Sequence, residues 1–296
     1  MRLEKPSWLK VKPPTSENYL YLKKMMHELG INSVCQEAIC PNIDECWKNK
    51  TATFMIMGSV CTRGCRFCAV KTGDPSGILD HLEPTKIAEA ISTLKLKYVV
   101  LTSVDRDDLD DGGSEHFAKT VSAIKIKDKN IVVEILAPDF GANRLMINKV
   151  INSGPEVYGH NIETVERVTP LIRDRRSTYK TSMKTLETIK LIKNNQYTKS
   201  SLLLGVGETK DEVISTLKDL RNVGCDIVTL GQYLSPTKRH YPVTRYIHPD
   251  EFQEYNEIAT SLGFKFCASG PLVRSSYRAG ELFRNGQNDN RELGTN

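Results

Sequence analysis

The sequence predicts an α/β fold, an open or partial barrel of roughly six strand–helix units with an extension at each end. Two observations predict it. From residue 51, short and nearly continuous apolar runs alternate with amphipathic segments of helix length, the pattern of a parallel sheet covered by helices. No G-x-G-x-x-G follows an early strand, which disfavours a dinucleotide-binding fold. At 296 residues and 33.3 kDa, the chain is long enough to bury a full core as one large domain.

Residues 1–50 read as an N-terminal extension. Its "SENYLYLKKMMHELG" places Ser16 as N-cap, Leu22, Met25, Met26 and Leu29 at helical spacing, and Gly30 as a stop. The barrel occupies 51–263, with strands expected at 53–57, 97–103, 130–137, 155–161, 201–207 and 226–233. Helices are expected near 84–94, 114–127, 142–150, 180–195, 210–223 and 249–262. Residues 264–296 form a C-terminal extension with a polar, fraying end. Functional groups in such a barrel collect at the C-terminal ends of the strands.

Eight cysteines in 296 residues are too sparse for a disulfide scaffold. With no apolar leader or membrane-length run, a reducing, soluble location is expected, assigned to the cytoplasm. The net charge of +5 is small and scattered, so it permits an acidic protein partner or a nucleic acid without selecting either. Aromatics, 7% of the chain, do not interleave with basic clusters, so a nucleic-acid surface is not expected. Nothing demands more than a monomer.

Six of the cysteines form two triplets. Cys35, Cys40 and Cys46 lie in "CQEAICPNIDECW"; Cys61, Cys65 and Cys68 lie in "CTRGCRFC", just past the first strand. Soft thiolates set this closely favour zinc or an iron–sulfur cluster. Structural zinc wants four protein ligands, and neither triplet supplies a fourth cysteine or a histidine at a conventional offset. Three cysteines on a four-iron cluster leave one iron open to a ligand. A zinc knuckle and inert buried thiols are the alternatives. Cys225 and Cys267, each alone in an apolar stretch, read as buried cysteines.

The spacing Cys61-x3-Cys65-x2-Cys68, with Phe67 before the last cysteine, resembles the signature of the radical S-adenosylmethionine superfamily. "CQEAICPNIDECW", "TATFMIMGSVCTRGCRFCAV", "SVDRDDLDDGG" and "RSSYRAGE", in that order, are together similar to the lipoyl synthases across nearly the whole chain. The fold the resemblance implies is a partial (β/α)6 TIM-like barrel of the radical SAM type. It implies two 4Fe-4S clusters: a reducing cluster on Cys61, Cys65 and Cys68, and an auxiliary one on Cys35, Cys40, Cys46 and Ser276 of the RSSY stretch, with Ser275 as competitor. These seven residues are the expected catalytic and metal-binding set.

The resemblance also implies the chemistry. S-adenosylmethionine, bound at the open iron and cleaved by one electron, would give a radical that takes hydrogen from an octanoyl chain on a carrier lysine. Sulfur from the auxiliary cluster would enter at C6 and then C8. The implied partners are an octanoylated lipoyl carrier domain of a 2-oxoacid dehydrogenase or the glycine cleavage H protein, a ferredoxin or flavodoxin-like electron donor, and a cluster repair protein. Neither nucleic acid nor membrane is among them.

Further cofactor contacts are expected from Phe67, from Ser103 and Asp105 at the second strand, from Glu134 on the third, from Asn161 after the fourth, and from Arg176. Five Asp lie between residues 105 and 111. They admit a divalent metal site, a loop-structuring role, or cofactor positioning in which Gly112 and Gly113 let the backbone approach. "GVGET" at 205–209 is a weaker candidate. Arg173, Arg175 and Arg176 could steer an acidic carrier or contact a carboxylate. The six histidines are scattered, and His160 reads as a core or supporting residue. The rivals are another sulfur-inserting or methylthio-transferring enzyme of the superfamily, a two-cluster electron carrier, and a zinc-supported nucleic-acid-binding protein.

Overall fold

The computed structural model describes residues 3–11, 16–28, 30, 33, 42–48, 51–276 and 280. Its strands are β1 (Thr51–Ile56), β2 (Val60–Cys61), β3 (Lys71–Thr72), β4 (Tyr98–Ser103), β5 (Val132–Leu136), β6 (Val157–Gly159), β7 (Tyr197–Leu204), β8 (Ile227–Gln232) and β9 (Phe266–Gly270). The helices are α1 (Glu17–Glu28), α2 (Ile43–Lys48), α3 (Glu83–Thr93), α4 (Ser114–Lys127), α5 (Arg144–Asn152), α6 (Thr169–Ile172), α7 (Tyr179–Ile192), α8 (Lys210–Asn222) and α9 (Pro249–Ser261). Seven strands make one sheet in the order β1-β4-β5-β6-β7-β8-β9, parallel throughout. β2 and β3 form a separate short ladder within the cysteine loop.

Six strand–helix units, β1–α3, β4–α4, β5–α5, β6–α7, β7–α8 and β8–α9, match the expected partial barrel. β9 adds a seventh strand. It falls in the stretch expected to be C-terminal extension, because "FCASG" carries small residues and only half-buried positions. β7 also begins earlier than expected: Lys199 and the serines beside it lack the apolar signal of a buried strand, yet all three are buried.

Alternation along the strands separates two environments. Val99, Leu101, Val133, Ile135, Tyr158, Leu202, Val228 and Leu230 pack outward with Ile87, Phe117, Val121, Leu186, Leu217 and Phe252 of the helices in one large core. Tyr98, Val100, Val157 and Ile227 form a second, smaller cluster, with Val132, Tyr197 and Phe266 against it. These begin the strands from inside the barrel and close its N-terminal end. Several helix starts carry side-chain caps: Asn143 for α5, Thr178 for α7, and a Thr209–Glu212 capping box for α8.

The N-terminal extension is tied to the barrel. The Ser16 hydroxyl accepts from the Tyr19 N–H (3.2 Å), as an N-cap should, and itself donates to Asp44. Met26 is fully buried in the main core, and the Ser33 hydroxyl donates to the Thr53 carbonyl at 3.0 Å. The Asn42 amide donates to the Leu272 carbonyl at 2.6 Å, joining the two extensions directly. Among the described residues no helix is long and apolar enough to cross a membrane.

Candidate active site

The C-terminal ends of the strands surround a cavity of about 400 Å³, within the size range of small-molecule sites. Cys61, Cys65 and Cys68 line it, together with Phe67, Ser103, Asp105, Asn161 and Ser276. The sheet delivers these residues from widely separated parts of the chain: the loop after β1, the ends of β4 and β6, and the segment after β9.

The cysteine loop is held by its neighbours. Backbone N–H groups of Arg63 and Asp105 donate to Cys61 Sγ at 3.4 and 3.3 Å, and that of Asp174 donates to Cys65 Sγ at 3.3 Å. The Tyr241 N–H donates to the Arg66 carbonyl at 2.8 Å, and His240 Nε2 lies 3.0 Å from the Cys68 carbonyl oxygen. Burial pushes all three thiols up to about 11, with Asp105 adding to the rise at Cys61. Loading a metal on them therefore releases protons.

The donor set fits an iron–sulfur cluster beside S-adenosylmethionine. N–H groups already aimed at sulfur suit thiolate ligands. The buried Ser103 hydroxyl has no hydrogen-bond partner and lines the cavity, so it is free to meet a ligand. Among the described residues no three His, Cys, Asp or Glu side chains crowd close enough to hold one ion. Three sulfurs bound to three different irons of a cluster stand further apart than ligands of a single ion.

Of the auxiliary set, Ser276 lines the cavity and Cys46 lies half-buried on α2; Cys35 and Cys40 lie outside the described residues. Two expected cofactor contacts do not reach the cavity. Glu134 faces the barrel interior one layer below it, paired with Lys199 at 2.8 Å and accepting from the Tyr98 hydroxyl at 2.6 Å. Arg176 is engaged by Asp174 (2.8 Å), Asp107 (3.2 Å) and the Thr62 carbonyl (2.6 Å).

The aspartate run structures its loop. Asp108 grips Arg106 at 2.7 Å, which holds its carboxyl down at about 2. Asp111 accepts from the N–H groups of Gly113 and Glu115 at the start of α4. Gly112 and Gly113, with φ of 58° and 86°, approach Phe140 and Met57 rather than the cavity; a Cβ on Gly113 would meet Met57 Sδ at 2.3 Å. In "GVGET", Glu208 accepts from the Gly205 and Val206 N–H groups at 2.6 and 2.9 Å, which closes that loop on itself.

Sequence reasoning missed three lining residues. Arg63 is 8% exposed and meets Asp107 and Asp139, carboxylates from two other loops. Only its place between two cysteines marked it. Asp139 itself stood in no motif. Glu163 is half-buried at φ 67°, and desolvation raises its carboxyl. Arg173 lines the cavity as well; its Nη1 donates to Ser182 Oγ (2.8 Å) and the Ile162 carbonyl (3.2 Å), while its buried Nε has no partner. His160 is a supporting residue, between the Ala137 carbonyl and Ser182 Oγ, each 2.9 Å away. Burial pushes it down to about 4.

Residues 55–220 match the model of the Radical SAM superfamily. The chain is 52% identical over 299 residues to "Lipoyl synthase 1, mitochondrial" of Phaeodactylum tricornutum, covering 95% of this chain and 75% of that protein. It is 51% identical to the lipoyl synthase of Thermus thermophilus over 279 residues, covering 94% and 86%. With "Lipoyl synthase, mitochondrial" of Drosophila melanogaster the identity is 53% over 287 residues, covering 95% and 76%.

Among solved structures, methylornithine synthase (PylB) superposes with a TM-score of 0.55 at 12% identity, covering 87% of this chain and 83% of that one. The FeFe-hydrogenase maturase HydG from Carboxydothermus hydrogenoformans gives 0.54 at 13%, covering 91% and 78%. At such identity these two share the fold alone. The Phaeodactylum and Drosophila names are mitochondrial, which corrects the cytoplasmic location expected from the sequence. A reducing, soluble compartment describes the mitochondrial matrix as well as the cytosol, so cysteine usage does not separate them. The barrel, the cysteine loop at its mouth and these identities together mean that the chain belongs to the lipoyl synthase family of the radical SAM superfamily.

Proposed function

We propose that this enzyme inserts two sulfur atoms, at C6 and C8, into an octanoyl chain carried on a lysine of a lipoyl carrier domain. The observation that carries the reading is the meeting of Cys61, Cys65 and Cys68 with Ser276, from opposite ends of the chain, around one cavity. Cys61, Cys65 and Cys68 hold the reducing 4Fe-4S cluster; Cys35, Cys40, Cys46 and Ser276 hold the auxiliary one. The bond from Asn42 to Leu272 supports the second set, because it ties the Cys46 helix to the segment leading to Ser276. Once bound, these clusters and S-adenosylmethionine supply the electron, the hydrogen-abstracting radical and the sulfur.

The chain's own task is positioning and exclusion of water. Ser103 and Asn161 offer polar atoms to the cofactor from the ends of β4 and β6, while Arg173 offers an unpartnered N–H to a carboxylate. Leu136, Leu203, Leu234 and Pro236 supply apolar wall, which suits a hydrocarbon chain that must meet a radical and no solvent. The partners that follow are an octanoylated carrier, a ferredoxin or flavodoxin-like donor and a repair system for the consumed cluster.

The test is anaerobic reconstitution followed by turnover of an octanoyl-lysyl peptide with reductant and S-adenosylmethionine. About eight irons per chain are expected, for two four-iron clusters, with 5'-deoxyadenosine and a product heavier by two sulfurs. Iron and deoxyadenosine without thiolation would move the substrate elsewhere. About four irons would refute the auxiliary set.

A further inference from the structure

We infer that Arg63 is the positioning residue of the cysteine loop: one buried guanidinium ties that loop to three others and offsets the carboxylates gathered beside it, of which Asp105 lies against Cys61. The inference rests on the reading of Cys61, Cys65 and Cys68 as cluster ligands, and goes beyond it.

Arg63 stands between the first two cysteines and points away from solvent, 8% exposed. Its Nε and Nη2 fork onto Asp107, from the loop after β4, at 3.1 and 2.8 Å. Its Nη1 and Nη2 reach Asp139, from the loop after β5, at 2.6 and 3.1 Å. Nη1 also donates to Ser177 Oγ, before α7, at 3.0 Å. Every guanidinium nitrogen is engaged, and only arginine's planar fork can serve three directions at once. Asp139 is 1% exposed, so each charge there depends on the other.

A second feature points the same way. Directly after Asp139 the backbone turns through Phe140, Gly141 and Ala142 with φ of 47°, 59° and 56°. Two of these are non-glycine residues in the left-handed region, a strain that persists only where surrounding contacts over-determine it. The turn is fastened to the arm that meets Arg63: Asp139 Oδ1 accepts from the Gly141 N–H at 2.9 Å.

Charge is the other half. Asp105 Oδ2 lies 3.7 Å from Cys61 Sγ, and its Oδ1 lies 3.4 Å from Arg63 Nη1. Asp105, Asp107 and Asp139 thus converge on a single cation beside a thiolate site. Without Arg63 they would repel an added electron, making a cluster there harder to reduce.

The test uses the full chain in two states. In the metal-free protein, iodoacetamide alkylation of Cys61, Cys65 and Cys68 is followed by peptide mass spectrometry. Arg63→Met is expected to raise the rate about tenfold by freeing the loop, and an unchanged rate overturns the positioning role. In the reconstituted protein the cluster's midpoint is titrated by electron paramagnetic resonance. A more negative midpoint is expected in Arg63→Met and a nearly unshifted one in Arg63→Lys, which keeps the charge but alkylates faster. An unshifted midpoint in Arg63→Met overturns the charge role.

If Arg63→Met does not fold, Asp139→Asn carries the test. It removes one arm and one negative charge, so faster alkylation and a less negative midpoint are expected, and no change in either overturns the proposal. If the wild-type chain takes up no iron on these cysteines, the functional reading fails by itself while alkylation still decides this one.

Discussion

Lys199 and Glu134 meet inside the barrel, each almost wholly buried, with Nζ 2.8 and 3.0 Å from the two carboxylate oxygens. The Tyr98 hydroxyl adds a third contact to the carboxylate. Two charges taken out of water are tolerable only as a pair, so removing one partner strands the other. Lys199→Met is expected to cost ~3–5 kcal/mol in urea unfolding. Lys199→Met with Glu134→Gln should recover most of that. A double variant as unstable as the single would mean that side-chain packing, not the stranded charge, carries the loss. From sequence Glu134 looked like a cofactor contact because it sits on a barrel strand; only the sheet order, with β6 between β5 and β7, shows that its partner is another side chain.

The segment after β9 illustrates how an element's placement depends on a neighbour's lack of a side chain. Gly231 on β8 lets the chain pass so closely that a Cβ there would stand 2.0 Å from the Val273 carbonyl oxygen. Arg274, Ser275 and Ser276 follow at the cavity wall. Gly231→Ala must push this segment outward, since backbone rather than a flexible side chain is in the way. A shift of that size costs ~10²-fold where reacting groups must be held in register. Sulfur insertion should therefore fall by about that factor, while 5'-deoxyadenosine formation, which the proposed ligand sets assign to Cys61, Cys65 and Cys68 alone, falls far less. Mass spectrometry of both products checks this, and equal losses would mean that the segment serves the whole cavity.

For the whole molecule, one buried and one half-buried group set opposing responses to acid. Burial pushes His160 down to about 4 from an ordinary 6.5. Between those values the unfolded chain binds a proton that the folded chain refuses, so stability falls as pH drops. Burial pushes Asp105 up to about 6 from an ordinary 3.8, against the pull of Arg63. There the folded chain holds the extra proton, so its contribution rises as pH drops from about 6 toward 4. These two contributions oppose each other in the metal-free protein. Asp105→Asn removes the opposing half of this pair, so its melting temperature should fall more steeply between pH 6 and 4 than that of the wild type. Parallel curves would contradict the assignment.

Much of the barrel was legible because parallel strands buried on both faces are apolar almost throughout, and the helices between them are amphipathic. The cysteine loop was legible because its signal is local, three thiols within eight positions. What stayed hidden depended on partners far away in sequence. β7 concealed its start because Lys199 is polar until the sheet order brings Glu134 within reach of it, and β9 hid among small residues that pair with β8. Arg63, Asp139 and Glu163 carry no local pattern either. A charge can be buried only where other charges and N–H groups converge on it, and that convergence is made by the sheet order. The sequence by itself determined the cysteine loop and the family; the tertiary structure decided which distant carboxylates and backbone turns hold that loop in place.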